Sequence, residues 1–183
     1  MTFSWTPHRF AGGALALDVA NSVILRFDDT RRIDRFSERE QLRTFPAAAE
    51  AFSAERALFG RLEPVTEENT EGFIRLREAI DRHFRAKVAG LDDRTSLADL
   101  LDATAAMLRA AGSETALEAA VAHSALRLIS MPEEDRLKIC GNCGWLFLDK
   151  SRNRSRTWCD MAVCGNRMKA HRHYQRSRKE GTQ

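Results

Sequence analysis

The chain has one tyrosine in 183 residues, five lysines beside 24 arginines, and no cysteine before position 140. It has no apolar run near the roughly 20 residues that a bilayer-spanning helix needs. The first stretch, MTFSWTPHRFAGGALALDVANS, does not read as a signal peptide. Its apolar run is short, Asp18 interrupts it, and no basic segment precedes it. A cytoplasmic protein is therefore expected, with no membrane partner. There is no phosphate-binding glycine loop, no Gly-x-Ser-x-Gly elbow and no His-Glu-x-x-His helix. His83 and His123 fall in helical stretches without a matching acid or nucleophile, so no enzyme is expected.

The scarce cysteines are concentrated. Cys140, Cys143, Cys159 and Cys164 make the pattern Cys-x2-Cys-x15-Cys-x4-Cys. Two close pairs joined by such a loop supply a tetrahedral thiolate site for zinc. In a reducing compartment metal is favoured over two disulfides. Iron–sulfur is the weaker alternative, because no partner chemistry is visible. Four thiolates leave no open position, so Zn2+ here is structural. A segment of about 45 residues needs such a staple to fold.

Charge divides the chain at the same place. Residues 136–183 carry 12 Lys and Arg against 3 Asp and Glu, whereas residues 1–135 carry 17 against 23. A basic, metal-stapled tail on an acidic body points to nucleic acid.

The body reads as mainly α. Gly12-Gly13, between RF and ALAL, reads as a tight turn between two short strands. Periodicity leaves Leu17–Val23 open between strand and helix. Ser37 and Glu40 form a capping box for a helix from 38, and Pro46 suits the first turn of the next. Thr66, Ser96 and Ser113 are expected caps of three further helices. Phe73, Leu76, Ile80, Phe84 and Val88 share a face of the first, and Gly90 ends it. Leu97, Leu100, Leu101, Met107 and Leu108 point inward from the second, and Leu117, Val121, Ala125, Leu128 and Ile129 from the third. Pro132 and the acids after it mark a boundary.

The tail has another grammar. Cys140–Gly144 is a compact turn, 145–149 alternates like a strand, 150–155 is a polar turn and 156–159 returns as a second strand. A helix opens at Cys164 and runs to about Arg178. Knuckle, hairpin and helix make a treble-clef-like zinc module. On this helix Met168, His171 and Gln175 are expected to face the metal core, and Lys169, Arg172 and Arg176 to form a stripe. His171 and His173 are spare, not ligands. Trp145, Phe147 and Trp158 are expected in the core rather than stacked on bases.

The run Cys164-Gly165-Asn166-Arg167, inside WLFLDKSRNRSRTWCDMAVCGNRMKAHRHYQR, resembles the CGNR zinc-finger family, whose pattern covers about the last 45 residues. The body resembles the all-helical ABATE domain, through Leu17-Asp18-Val19-Ala20-Asn21-Ser22 and Leu76-Arg77-Glu78-Ala79, with Ser22 where Thr is usual. The resemblance implies an ABATE-like domain over 1–132 and a CGNR-type finger over 136–183. It also implies a role in stress-induced transcriptional regulation.

The residues expected to contact nucleic acid are Arg152, Arg154 and Arg156 on the turn, with Arg167, Lys169, Arg172 and Arg176 on the helix. Asp18 and Asn21 are candidates to line a ligand pocket, with structural cap or turn roles as the alternative. The expected function is DNA-binding regulation, with the body sensing a small-molecule effector or forming a homodimer. The alternative is an RNA-binding or protein-interaction module built on the same finger.

Overall fold

The computed structural model describes residues 3–91 and 93–180, with residues 172, 173, 176, 177, 179 and 180 in backbone only. Seven α-helices and four short strands occur in this span. Helix α1 (Leu15–Ala20) is followed by the β1 (Val23–Ile24) and β2 (Ile33–Asp34) pair. Then come α2 (Arg39–Phe52), α3 (Arg56–Phe59), α4 (Thr70–Val88), α5 (Arg94–Ala110) and α6 (Leu117–Ile129). The tail contributes β3 (Leu137–Ile139), β4 (Leu146–Leu148) and α7 (Asn166–Glu180). No described helix is long and apolar enough to cross a membrane.

The expected hairpin at Gly12-Gly13 does not form. Pro7–Phe10 is a 3-10 turn, and Leu15 begins a helix instead. All six residues of α1 are buried, as an element apolar on nearly every side must be. Its first amides are capped from a distance. Leu15 N–H donates to Glu55 Oε2 at 2.8 Å, and Ala16 N–H to Ser124 Oγ at 2.9 Å. The two glycines serve close approach. A Cβ on Gly12 would lie 2.8 Å from Asp18 Oδ1, and one on Gly13, at φ +83°, would meet Leu148 Cβ at 3.2 Å.

Helix α4 is the central strut. Phe73, Leu76, Ile80 and Phe84 are buried along one face, and Gly90 follows the end at φ +71°. Helices α1 and α5 pack on it, and α6 packs on α1 and α5.

Several local expectations need correcting. Pro46 lies inside α2, where burial of Leu42, Phe45 and Ala49 on either side outweighs a missing backbone bond. Ser37 makes no capping box: its hydroxyl donates to Asp34 O, and Glu38 stands at the N-cap. Asp93 caps α5 through Ser96 N–H at 3.1 Å, so Ser96 lies inside the helix. Helices α4 and α6 start later than Thr66 and Ser113 suggest, with Asn69 and Ala116 at their N-caps. Leu101 is 43% exposed, and Thr104 occupies the inner face instead.

Strands β3 and β4 pair antiparallel, with Leu137 opposite Leu148 and Ile139 opposite Leu146. The expected second strand at 156–159 is irregular chain. The hairpin is therefore built by the two strands that flank the knuckle, not by strands beyond it. Leu137 and Leu146 belong to the main core with α1, α4 and α6 residues. One hydrophobic core therefore runs across the boundary between residues 132 and 136.

Candidate metal centre and its basic surround

Cys140 directly follows β3, and its N–H donates to Trp145 O at 2.8 Å while Gly144 N–H returns to Cys140 O at 2.9 Å. This closes a knuckle that places Cys140 and Cys143 together, with Gly144 at φ +73°. Gly141 lets the indole of Trp158 close over the knuckle, since a Cβ there would come within 3.0 Å of it. The other pair is set by Asp160. Its carboxylate accepts from Ala162 N–H at 2.8 Å and caps a π-turn, Met161–Gly165, that carries Cys164 into α7. Gly165 and Asn166 have separate roles there. A Cβ on Gly165 would lie 3.0 Å from Met161, and Asn166 Nδ2 donates to Ala162 O at 3.0 Å.

The four sulfurs lie within 4.8 Å of one another. Cys143 and Cys159 are 3.6 Å apart, and Cys159 and Cys164 are 3.7 Å apart. A tetrahedron with zinc–sulfur bonds of about 2.3 Å requires sulfur separations of about 3.8 Å. The donor set therefore fits Zn2+, and the four cysteines form a closed structural zinc site. The packed thiols compete for one another's protons. Hydrogen bonds from Cys143 and Cys159 push the Cys140 thiol far down, and the same contacts push Cys143 and Cys159 far up. A divalent ion removes that conflict by stabilising all the thiolates. Asn142 Nδ2 donates to Cys164 Sγ at 3.3 Å, adding a neutral donor to the anionic cage.

A second polar knot braces the loop between the cysteine pairs. Asp149 is fully buried and accepts from Lys138 Nζ at 2.8 Å, Ser151 N–H at 2.9 Å and Arg156 N–H at 2.8 Å. Burial opposes its charge, but the bonds from Lys138, Ser151 and Arg156 outweigh burial and hold the carboxyl far below the usual carboxylate range.

The candidate ligand residues of the body join the body to this module. Asn21 is 3% exposed. Its Nδ2 donates to Leu146 O at 2.8 Å, and its Oδ1 accepts from Leu146 N–H at 3.0 Å. The side chain thus pairs with β4 as a neighbouring strand would. Asp18 accepts from Gly12 N–H at 3.0 Å and from Ser53 Oγ at 3.2 Å, and burial pushes its carboxyl well up toward the neutral form. Both residues are buried and held by these bonds. Arg85 Nη2 to Gly144 O at 2.7 Å and Leu148 N–H to Gly12 O at 2.9 Å complete the seam. Replacing Asn21 by Ala leaves both polar groups of Leu146 buried without partners. We expect a loss of about 2–4 kcal/mol in chemical denaturation and faster exchange of the Leu146 amide.

The basic residues separate into groups. Arg152, Arg167 and Lys169 are exposed. Arg154, at φ +48°, is also exposed but pairs with Asp135 at 2.6 Å. Arg156 departs from the expectation of a free contact. It is half-buried, its guanidinium lies 5.4 Å from the Phe147 ring centroid, and it donates to the carbonyls of Trp158 and Cys159. The side chains of Arg172 and Arg176, like that of His173, lie outside the described residues. His171 and Gln175 are exposed and bonded to each other at 3.3 Å, so they do not face the metal. Met168 is half-buried. Trp145 and Phe147 are core residues, and Trp158 packs against them half-buried.

Sequence reasoning did not single out Asp34 or the Arg77 side chain as a bonded pair. Arg77, 2% exposed, forks onto Asp34 at 2.6 and 2.7 Å and anchors β2 to α4. An arginine on the apolar face of a helix was the available signal. Comparison with known proteins then places the tail. No curated protein matches the chain. A family description, CGNR zinc finger, matches residues 136–177, so the region that cages the metal is a zinc finger of that family.

Proposed function

We propose that the protein is a DNA-binding transcription regulator in which the zinc finger contacts the duplex and the helical body, read as ABATE-like, senses an effector or mediates association. One observation carries this reading. Helix α7 leaves the metal cage with every described side chain beyond Met168 exposed, and Arg167 and Lys169 lie on its first turns. A helix polar on all sides gains little from its own chain. Held rigidly by a caged ion and bearing cations, it is suited to a polyanion groove or backbone. The chain is read as a binder rather than an enzyme, because the closed thiolate site offers no position for substrate. A groove of about 520 Å³ lined by Phe36, Leu42 and Val65, with Arg39 and Glu67 among its polar residues, is our candidate effector site.

The test is duplex binding by the zinc-loaded chain across a salt series, with Lys169→Ala, Arg172→Ala and Arg176→Ala combined. Removing a cation that neutralises a phosphate should reduce the log–log salt slope by about 0.9. Absent or salt-independent binding would overturn the reading. Preference for a structured RNA competitor over duplex would move it to RNA.

A further inference from the structure

Where the N-terminal segment crosses the zinc module, three guanidiniums gather without a counter-ion. The Pro7–Phe10 turn lays His8 over Trp145, ring centroids 5.3 Å apart, and His8 Nδ1 is 2.9 Å from Asp160 Oδ2. Asp160 caps the turn into α7, so this contact fixes the segment beside the helix start that carries Arg167. Arg9 lies 5.9 Å from the Trp145 ring centroid and 5.7 Å from that of Phe3. Arg35 stacks on the same Phe3 ring at 4.3 Å. The aromatic faces hold both guanidiniums in place.

Most arginines of the body sit on carboxylates, as Arg26, Arg77, Arg82 and Arg85 do. Among the described residues, Arg9, Arg35 and Arg167 have neither a carboxylate nor a hydrogen-bond acceptor for their guanidiniums, and Arg35 Nε is buried without a partner. Burial, followed by the charges of Arg35 and Arg167, works against the charged form of Arg9. Cations held together against their mutual repulsion, with a buried donor of Arg35 unfilled, make a receptor for an oxyanion.

We propose that Arg9, Arg35 and Arg167 form a phosphate clamp, through which the body joins the finger in gripping the nucleic-acid backbone. This rests on the nucleic-acid reading above. The clamp explains why the body is seamed rigidly to the finger: two of its three cations belong to the body. It also makes the footprint on the backbone wider than a 45-residue finger provides alone. Arg35 immediately precedes Phe36, which lines the candidate effector groove, so the two sites share one short turn.

The experiment uses the full zinc-loaded chain, with retained metal and helical content checked for each variant. Wild type, Arg9→Gln/Arg35→Gln, Arg9→Lys/Arg35→Lys and a control at two exposed body arginines, Arg61→Gln/Arg109→Gln, are titrated with a short DNA duplex over a salt series. Inorganic pyrophosphate binding is measured in parallel by calorimetry. The Gln pair should lower the log–log slope by about 1–2, at about 0.9 per phosphate neutralised, while the control leaves it unchanged. The Lys pair should restore the slope but bind several-fold more weakly, because the fork and ring stacking are gone. Pyrophosphate should bind wild type and not the Gln pair. A Gln pair with the wild-type slope, beside a reduced slope on Lys169→Ala, overturns the clamp and leaves DNA binding standing. Pyrophosphate binding with no nucleic-acid binding by wild type overturns both the function and the clamp's role in it, and assigns the site to a small phosphate ligand. No binding of either probe overturns the clamp outright.

Discussion

Chelating the metal at neutral pH should unfold the zinc module and loosen the body with it. A structural thiolate site contributes about 10–16 kcal/mol of apparent binding energy, and in so small a module that energy is folding energy. Among the described residues, Cys140, Trp145, Phe147, Cys159 and Cys164 form the local buried cluster around the cage, which is too little apolar area to fold a segment of about 45 residues unaided. The consequence should not stop at the tail. Leu137 and Leu146 fill the main core, and Asn21 depends on β4 for both of its bonds. Hydrogen exchange before and after chelation should show protection lost at the Leu146 and Leu148 amides, then weakened in α1. Cys164→Ser should reproduce the effect, with metal content falling in elemental analysis. Unchanged exchange in α1 after full metal loss would show that the seam is not coupled.

Asp149→Asn should destabilise the folded protein by about 2–4 kcal/mol, the cost of breaking a buried charged hydrogen-bond knot whose cation remains partly solvated. The amide keeps the size of the carboxylate, but in either orientation its NH2 meets donors, Ser151 on the Oδ1 side or Lys138 and Arg156 on the Oδ2 side. The pH dependence has a definite sign. The folded carboxyl is depressed, so its contribution is fully present above the unfolded value of about 3.9 and is lost as pH falls below that toward the folded value. Wild type should therefore lose stability in acid more steeply than the Asn variant, and the two denaturation midpoints should converge there. Parallel pH profiles would remove Asp149 from the account. Thiolate protonation at the metal is common to both proteins, so the difference between them at each pH, with metal content measured, isolates the Asp149 effect.

The metal centre was legible in the sequence because ligand spacing is a local property. A knuckle needs two cysteines a turn apart, and glycines such as Gly141 and Gly144 mark where backbone or a ring must pass close. Helices α4, α5 and α6 were legible for the same reason, since apolar residues recur at helical spacing along each. Their starts were not. Asp93 rather than Ser96 caps α5, and α1 has no local cap at all, because Glu55 and Ser124 supply it from other elements. Gly12-Gly13 misled for a related reason: glycine marks either a turn or a close approach, and only Leu148 and Asp18 in space distinguish the two.

Sequence by itself determined the chemistry that neighbouring residues carry: a thiolate cage for zinc, a cationic tail on an acidic body, and a helical body built on three-and-four spacing. The tertiary structure alone decided which polar residues are tied together across long separations. It made Asn21 a surrogate strand partner for β4, turned Arg156 inward onto Phe147, and brought Arg9 and Arg35 to the helix start at Arg167. The physical reason is that a side chain's role depends on what fills the space beside it, and packing brings that neighbour from anywhere along the chain.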